Sequence, residues 1–153
     1  MLKIRDTITI GSIAGIIATL IFISVNYIFK LMGFQLTSTW EATAKIFLAS
    51  NLIHTPLGKI VGVFGEYVIG ASGGIIMAYI LKFTGYDYYL LKGLGMGALF
   101  WIVGVGIIGK LINLTPKIAD EPITNFLIML DLIIFGIISA LIIVKFGDVK
   151  QKP

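Results

Sequence analysis

The chain contains no cysteine. That excludes disulfides, thiolate catalysis, cysteine-ligated zinc and iron–sulfur clusters within it. There is one histidine, His54, and a lone histidine makes no zinc site without three other ligands. A loose metal site with Glu41, Asp120 and Glu121 is conceivable, but a histidine in an interfacial loop is the simpler reading. Charge is scarce too. Only 13% of the 153 residues are Asp, Glu, Lys or Arg, against about 25% in an ordinary soluble domain. The sequence has no phosphate-binding glycine loop, dinucleotide fingerprint, paired zinc histidines or aspartate cluster of the phospholipid-synthase kind. Neither a metal nor another cofactor is expected.

What is present is apolar. Hydrophobic residues make up 58% of the chain and the mean hydropathy is +1.00, so much of this surface must face lipid or protein. Four runs are long enough to cross a bilayer, which takes about 20 apolar residues. They fall at 7–33, 59–82, 90–114 and 124–146. The first follows the basic start MLKIRD but is too long for a signal-peptide core of about 7–15 residues, so it is expected to be retained. The segment TSTWEATAKIFLAS predicts a short amphipathic helix over about 39–50, capped by Ser38 or Thr39, with Glu41 and Lys45 paired at i, i+4. It is too short to span and fits an interfacial or re-entrant helix. The expected fold is therefore all-α, an integral membrane four-helix bundle with this short helix between spans one and two. Residues 1–153 form one transmembrane domain.

The net charge of +4 sits at span ends. Lys3, Arg5, Lys82, Lys92, Lys145, Lys150 and Lys152 fall on one side. Lys30, Lys45, Lys59, Lys110 and Lys117 fall on the other, with Glu41, Asp120 and Glu121. This is a topology signal and not a nucleic-acid patch. It predicts an inner-membrane protein with both termini cytoplasmic. The tyrosines at 27, 67, 86, 88 and 89, with Trp40, fall where an aromatic belt would lie. The endings LKFTGYD and VKFGDVK of spans two and four leave a parallel duplication of two helical hairpins open.

There are 18 glycines. Gly11 and Gly15, Gly58 and Gly62, Gly70 and Gly74, and Gly93 and Gly97 follow the small-xxx-small spacing, which lets helix backbones approach in lipid. The spacing alone leaves open whether they face the bundle core or an oligomer interface. Polar groups also occur inside the spans. Glu66 lies on a face with Gly62, Gly70 and Gly73. Helical rise puts it and Asp131 at a similar depth, about 10–12 Å below one surface. Lys110 and Asn26 fall in the same band, Asn26 ending a stripe with Ser12 and Thr19. Carboxylates at such depth are costly, so they should point into protein with Lys110 or Asn26 in hydrogen-bond reach. The layer reads either as a clamp or as a proton, cation or polar-substrate site.

Gly70-Ala71-Ser72-Gly73 resembles the G-x-S-G of rhomboid proteases. That resemblance implies a nucleophilic serine, but those enzymes need a histidine base on another span, and His54 precedes the second span in a loop. Ser72 is expected instead to hydrogen-bond its own helix or a neighbour. Over most of the chain, GSIAGIIATL, YYLLKGLGMGALFW and NFLIMLDLIIFG resemble small bacterial inner-membrane proteins of the YagU-like and YqhR-like kind. The resemblance implies a four-span bundle with an amphipathic insertion after the first span, and brings no established activity. Those proteins tend to carry a polar residue, often histidine, where Glu66 and Asp131 stand here. The functional expectation is a non-enzymatic membrane protein, self-associating or an accessory subunit of a membrane complex. The alternative is a small proton- or cation-linked transporter or channel using the carboxylate layer.

Overall fold

The computed structural model describes residues 3–34, 38–111 and 122–148. Four helices long and apolar enough to cross a membrane make up the bundle: α1 (Thr7–Leu31), α3 (Pro56–Thr84), α4 (Tyr89–Leu111) and α5 (Pro122–Phe146). The short α2 (Thr39–Phe47) stands between α1 and α3. The chain is an all-α integral membrane protein. Large apolar side chains such as Leu20, Leu57, Phe64, Phe83 and Leu91 remain on its outside, as a lipid-facing surface requires. The expected end of the third span, 112–114, and Lys117, Asp120, Glu121, Lys150 and Lys152 lie outside the described residues.

Local chemistry sets the helix ends. Asp6 caps α1 by accepting from the Thr9 backbone N–H at 2.6 Å, and these bonds to Thr9 hold its carboxyl below the usual aspartate range. Thr55 caps α3 by accepting from Gly58 N–H at 3.1 Å, with Pro56 in the first turn. That start lies three residues ahead of the sequence expectation, because a capped proline begins a helix well. At the other end of α3, Lys92 donates to the Thr84 and Gly85 carbonyls at 3.0 and 2.8 Å. The turn that follows uses left-handed backbone at Tyr88, φ 53°. Residues near both ends of the chain also pair with one another. Ile4 N–H donates to Phe146 O and Asp148 N–H to Ile4 O, each at 2.9 Å. Arg5 and Asp148 form an exposed ion pair at 3.9 Å, worth little on its own.

The glycines decide how the helices meet. On α1, Gly11 and Gly15 face Gly70 and Gly74 of α3, so close that a Cβ at Gly11 would stand 2.6 Å from Ile75 Cα. On α4, Gly93 and Gly97 do the same against Gly136 and the Leu132–Ile133 backbone of α5. Gly58 abuts the Leu52–Ile53 turn, while Gly62 and Gly65 admit α2 through Trp40, Thr43 and Phe47. The small-xxx-small pairs are thus occupied within one chain. Helix α1 also packs on α5, so the order around the bundle is α3, α1, α5, α4. The fourth side, between α4 and α3, is barely closed. Phe100 bridges it midway, meeting Gly73 and lying 6.2 Å from the Phe135 ring.

Beyond Phe100 the character of α4 changes. Trp101–Ile108 is π-helical, and none of its residues is buried. Its glycines are unlike those of the seams: a Cβ at Gly104 would meet nothing within 4 Å. The apolar core lies in the other half of the bundle, toward the chain ends. It is built from Ile10, Ala14, Met77, Leu81, Met96 and Ile143, among others. The half holding α2 and the π-helical segment is left more open.

Candidate functional site

Glu66 and Asp131 stand ten and nine residues after the starts of their helices, Pro56 and Pro122. At 1.5 Å per residue both lie about 14–15 Å down, a few ångströms deeper than the sequence-based estimate because both helices begin earlier. Glu66 is 7% exposed, Asp131 1% and Asn26 7%. The carboxylates, on α3 and α5, are close enough to repel one another, and the Asn26 side chain of α1 approaches Asp131. Thr39 of α2 is placed to donate to the Glu66 carboxylate. One layer therefore draws on four helices: α1, α2, α3 and α5.

Lys110 does not join it. Its side chain is exposed at the far end of α4, and neither carboxylate has an ion pair among the described residues. The π-helical segment accounts for this, because it carries the end of α4 away from α5, leaving few contacts between them. Thr39, in turn, was missed. The sequence offered it only as a helix cap, whereas α2 folds back along α3 and brings it to Glu66.

Nor are the carboxylates satisfied. Among the described residues, Glu66 Oε1 and both oxygens of Asp131 have no hydrogen-bond partner; Asn26 comes near Asp131 without closing a bond of good geometry. A buried acceptor left so costs about 1–3 kcal/mol, and more when charged. A clamp would have its partners in place. This layer does not.

Beside Glu66 a cavity of about 530 Å³ fills the gap between α3 and the outer part of α4, with α1, α2 and α5 contributing to its walls. Glu66, Asn26, Thr39 and Thr43 give it a polar floor, and Phe22, Ile69, Val103 and Phe135 are among its apolar walls. Asp131 lies behind this lining. Below it, toward the chain ends, the packed core closes the bundle.

The GASG segment contributes no nucleophile. Ser72 donates to the Val68 carbonyl of its own helix at 2.8 Å. His54 sits before α3, edge-on to Trp40 with centroids 6.2 Å apart. Ser72 lies 16 residues along α3 from Pro56, about 24 Å by helical rise, so the two cannot act as nucleophile and base. No cluster of three His, Asp or Glu occurs among the described residues.

No protein-family model, curated protein or solved structure matches the chain.

Proposed function

We propose that this integral membrane protein is a small proton- or cation-linked transporter whose working group is the Glu66/Asp131 layer. The observation that carries the reading is the unsatisfied state of two buried carboxylates at one depth, one of them opening onto a cavity. Ionisable groups inside a membrane are expensive and are kept where they serve a pathway or a bound partner. The described residues supply neither a countercharge nor a full set of donors, and a proton, cation or cationic group would supply them.

A carrier fits better than a channel. The cavity meets the packed core at Phe100 and Phe135, so passage requires the helices to rearrange. The thinly closed α3–α4 side and the π-helical segment of α4 are the parts with least to lose in such a movement. A location in the inner membrane with both chain ends cytoplasmic belongs to the same proposal. It is supported by the seven of twelve Lys and Arg that fall on that side in the sequence. The four-span build with an inserted amphipathic helix also supports the kinship with YagU-like and YqhR-like proteins.

An accessory or self-associating role is the second reading. The large apolar outer surface is compatible with it, but the glycine pairs that could have formed an oligomer seam are used within the chain. Flux separates the two. Purified protein in liposomes should dissipate an imposed proton or potassium gradient, and Glu66→Gln and Asp131→Asn should each reduce that flux at least tenfold. Wild-type liposomes no leakier than empty ones to protons, potassium and sodium would remove the transport reading.

A further inference from the structure

The cavity beside Glu66 has features that bear on what it holds. Its volume, about 530 Å³, lies in the range of sites for drug-sized ligands, roughly 300–1,000 Å³, and far exceeds what a bare inorganic ion needs. Its walls are mostly apolar, Phe22, Ile76, Phe100, Ile108 and Leu132 among them, so few of its groups could replace the hydration shell of a small ion. Among the described residues, Glu66 is the one ionisable group in the lining, and its buried Oε1 has no partner there.

The neutral polar groups add a direction. Thr19 Oγ1 donates to Gly15 O at 2.8 Å, and Ser72 Oγ donates to Val68 O at 2.8 Å. A hydroxyl has one proton. With it committed to the helix backbone, each oxygen offers only lone pairs to the cavity. With the Glu66 carboxylate these two oxygens offer acceptors on an otherwise mostly apolar lining, which suits a ligand that brings positive charge and N–H donors.

The mouth supplies a route. Ile69 on α3 and Val103 and Ile108 on α4 line the cavity and are exposed on the apolar outer surface. They flank the thinly closed α3–α4 side of the bundle, where Phe100 meets Gly73. A molecule already dissolved in the bilayer can reach Glu66 there without crossing water.

From this we infer that the cavity binds a monocationic amphiphile, a protonated amine on an apolar body, entering sideways from the lipid between α3 and the outer part of α4. The inference rests on the transport reading for its purpose, but binding can be measured separately.

The test uses the purified full chain in nanodiscs of zwitterionic lipid. The probe is rhodamine 6G, a lipophilic cation with N–H groups, followed by fluorescence polarisation. Saturable binding is expected, displaced by dodecylamine and not by dodecanol. Glu66→Gln should weaken it at least tenfold. Because that change also alters a buried group, Val103→Trp serves as a second variant. It fills the mouth without touching the carboxylate and should weaken binding similarly, whereas Leu91→Trp, exposed near the start of α4 and away from the cavity, should not. Equal affinity in wild type and both cavity variants, or displacement by dodecanol as strong as by dodecylamine, would overturn the inference. Glu66-dependent proton or potassium flux without saturable rhodamine binding would overturn it while leaving the transport reading standing. Glu66-dependent binding without any flux, of probe or ion, would uphold the ligand and remove transport.

Discussion

Replacing Gly15 by alanine should open the bundle along the glycine seam between α1 and α3. A Cβ there would stand 2.8 Å from the Gly70 carbonyl carbon and 2.9 Å from Ala71 Cα, and closer still to the Gly70 oxygen. All three are backbone atoms of a helix, so none can rotate aside. To restore an ordinary contact of about 3.5–4.0 Å, α1 has to withdraw from α3 by about 1 Å, and a gap of that size forfeits a quarter to a half of each dispersion contact along the seam. In lipid no hydrophobic term compensates, since tails solvate an exposed helix face as well as a neighbour does. Overpacking costs of about 1–3 kcal/mol set the scale. Gly95→Ala is the matched control, because a Cβ at Gly95 meets nothing within 4 Å. There alanine's better helix propensity should leave stability unchanged or raise it by up to about 1 kcal/mol. Unfolding in mixed micelles titrated with SDS measures both. Equal stability of the two variants would refute the seam.

Trp101→Phe removes the 2.8 Å bond from the indole N–H to Asn125 Oδ1 that ties α4 to α5, and should cost about 0.6–1.7 kcal/mol in the same titration. Lys92→Met takes away the cation that closes the end of α3 and should cost about 1 kcal/mol. Ser72→Ala should change stability by no more than about 0.5 kcal/mol and leave rhodamine binding and ion flux within twofold, since the hydroxyl serves its own helix. With no native cysteine to remove, single cysteines report topology cleanly. One at position 54 should react with an impermeant maleimide from outside the cell and one at position 87 only after lysis. The reverse pattern would invert the orientation.

The sequence revealed the four spans, since long apolar runs are sufficient for that, and the inward face of Glu66, since 62, 66, 70 and 73 share one side of a helix. It did not decide what the glycines were for. Spacing says that a backbone can approach, not whose, and only the structure pairs Gly11 and Gly15 with Gly70 and Gly74. Lys110 misled because depth was counted along a regular α-helix, whereas the π-helical stretch redirects the end of α4. A signal for that stretch was present in WIVGVGIIG, where glycines occur without the four-residue spacing of the seams. Thr39 was illegible because its role depends on α2 folding back onto Gly62 and Gly65, a tertiary fact that no local pattern carries.

The central claim is that the fold holds its buried carboxylates for a bound partner and does not use them to hold itself together. The unfolding free energy of Glu66→Leu tests this most directly. Leucine is close to glutamate in size and removes the Oε1 acceptor that has no partner among the described residues. A working site predicts that the variant is at least as stable as wild type, as substitutions at strained functional positions commonly are. A structural clamp predicts a loss of about 1–3 kcal/mol from the donors left behind, and that result would contradict the account.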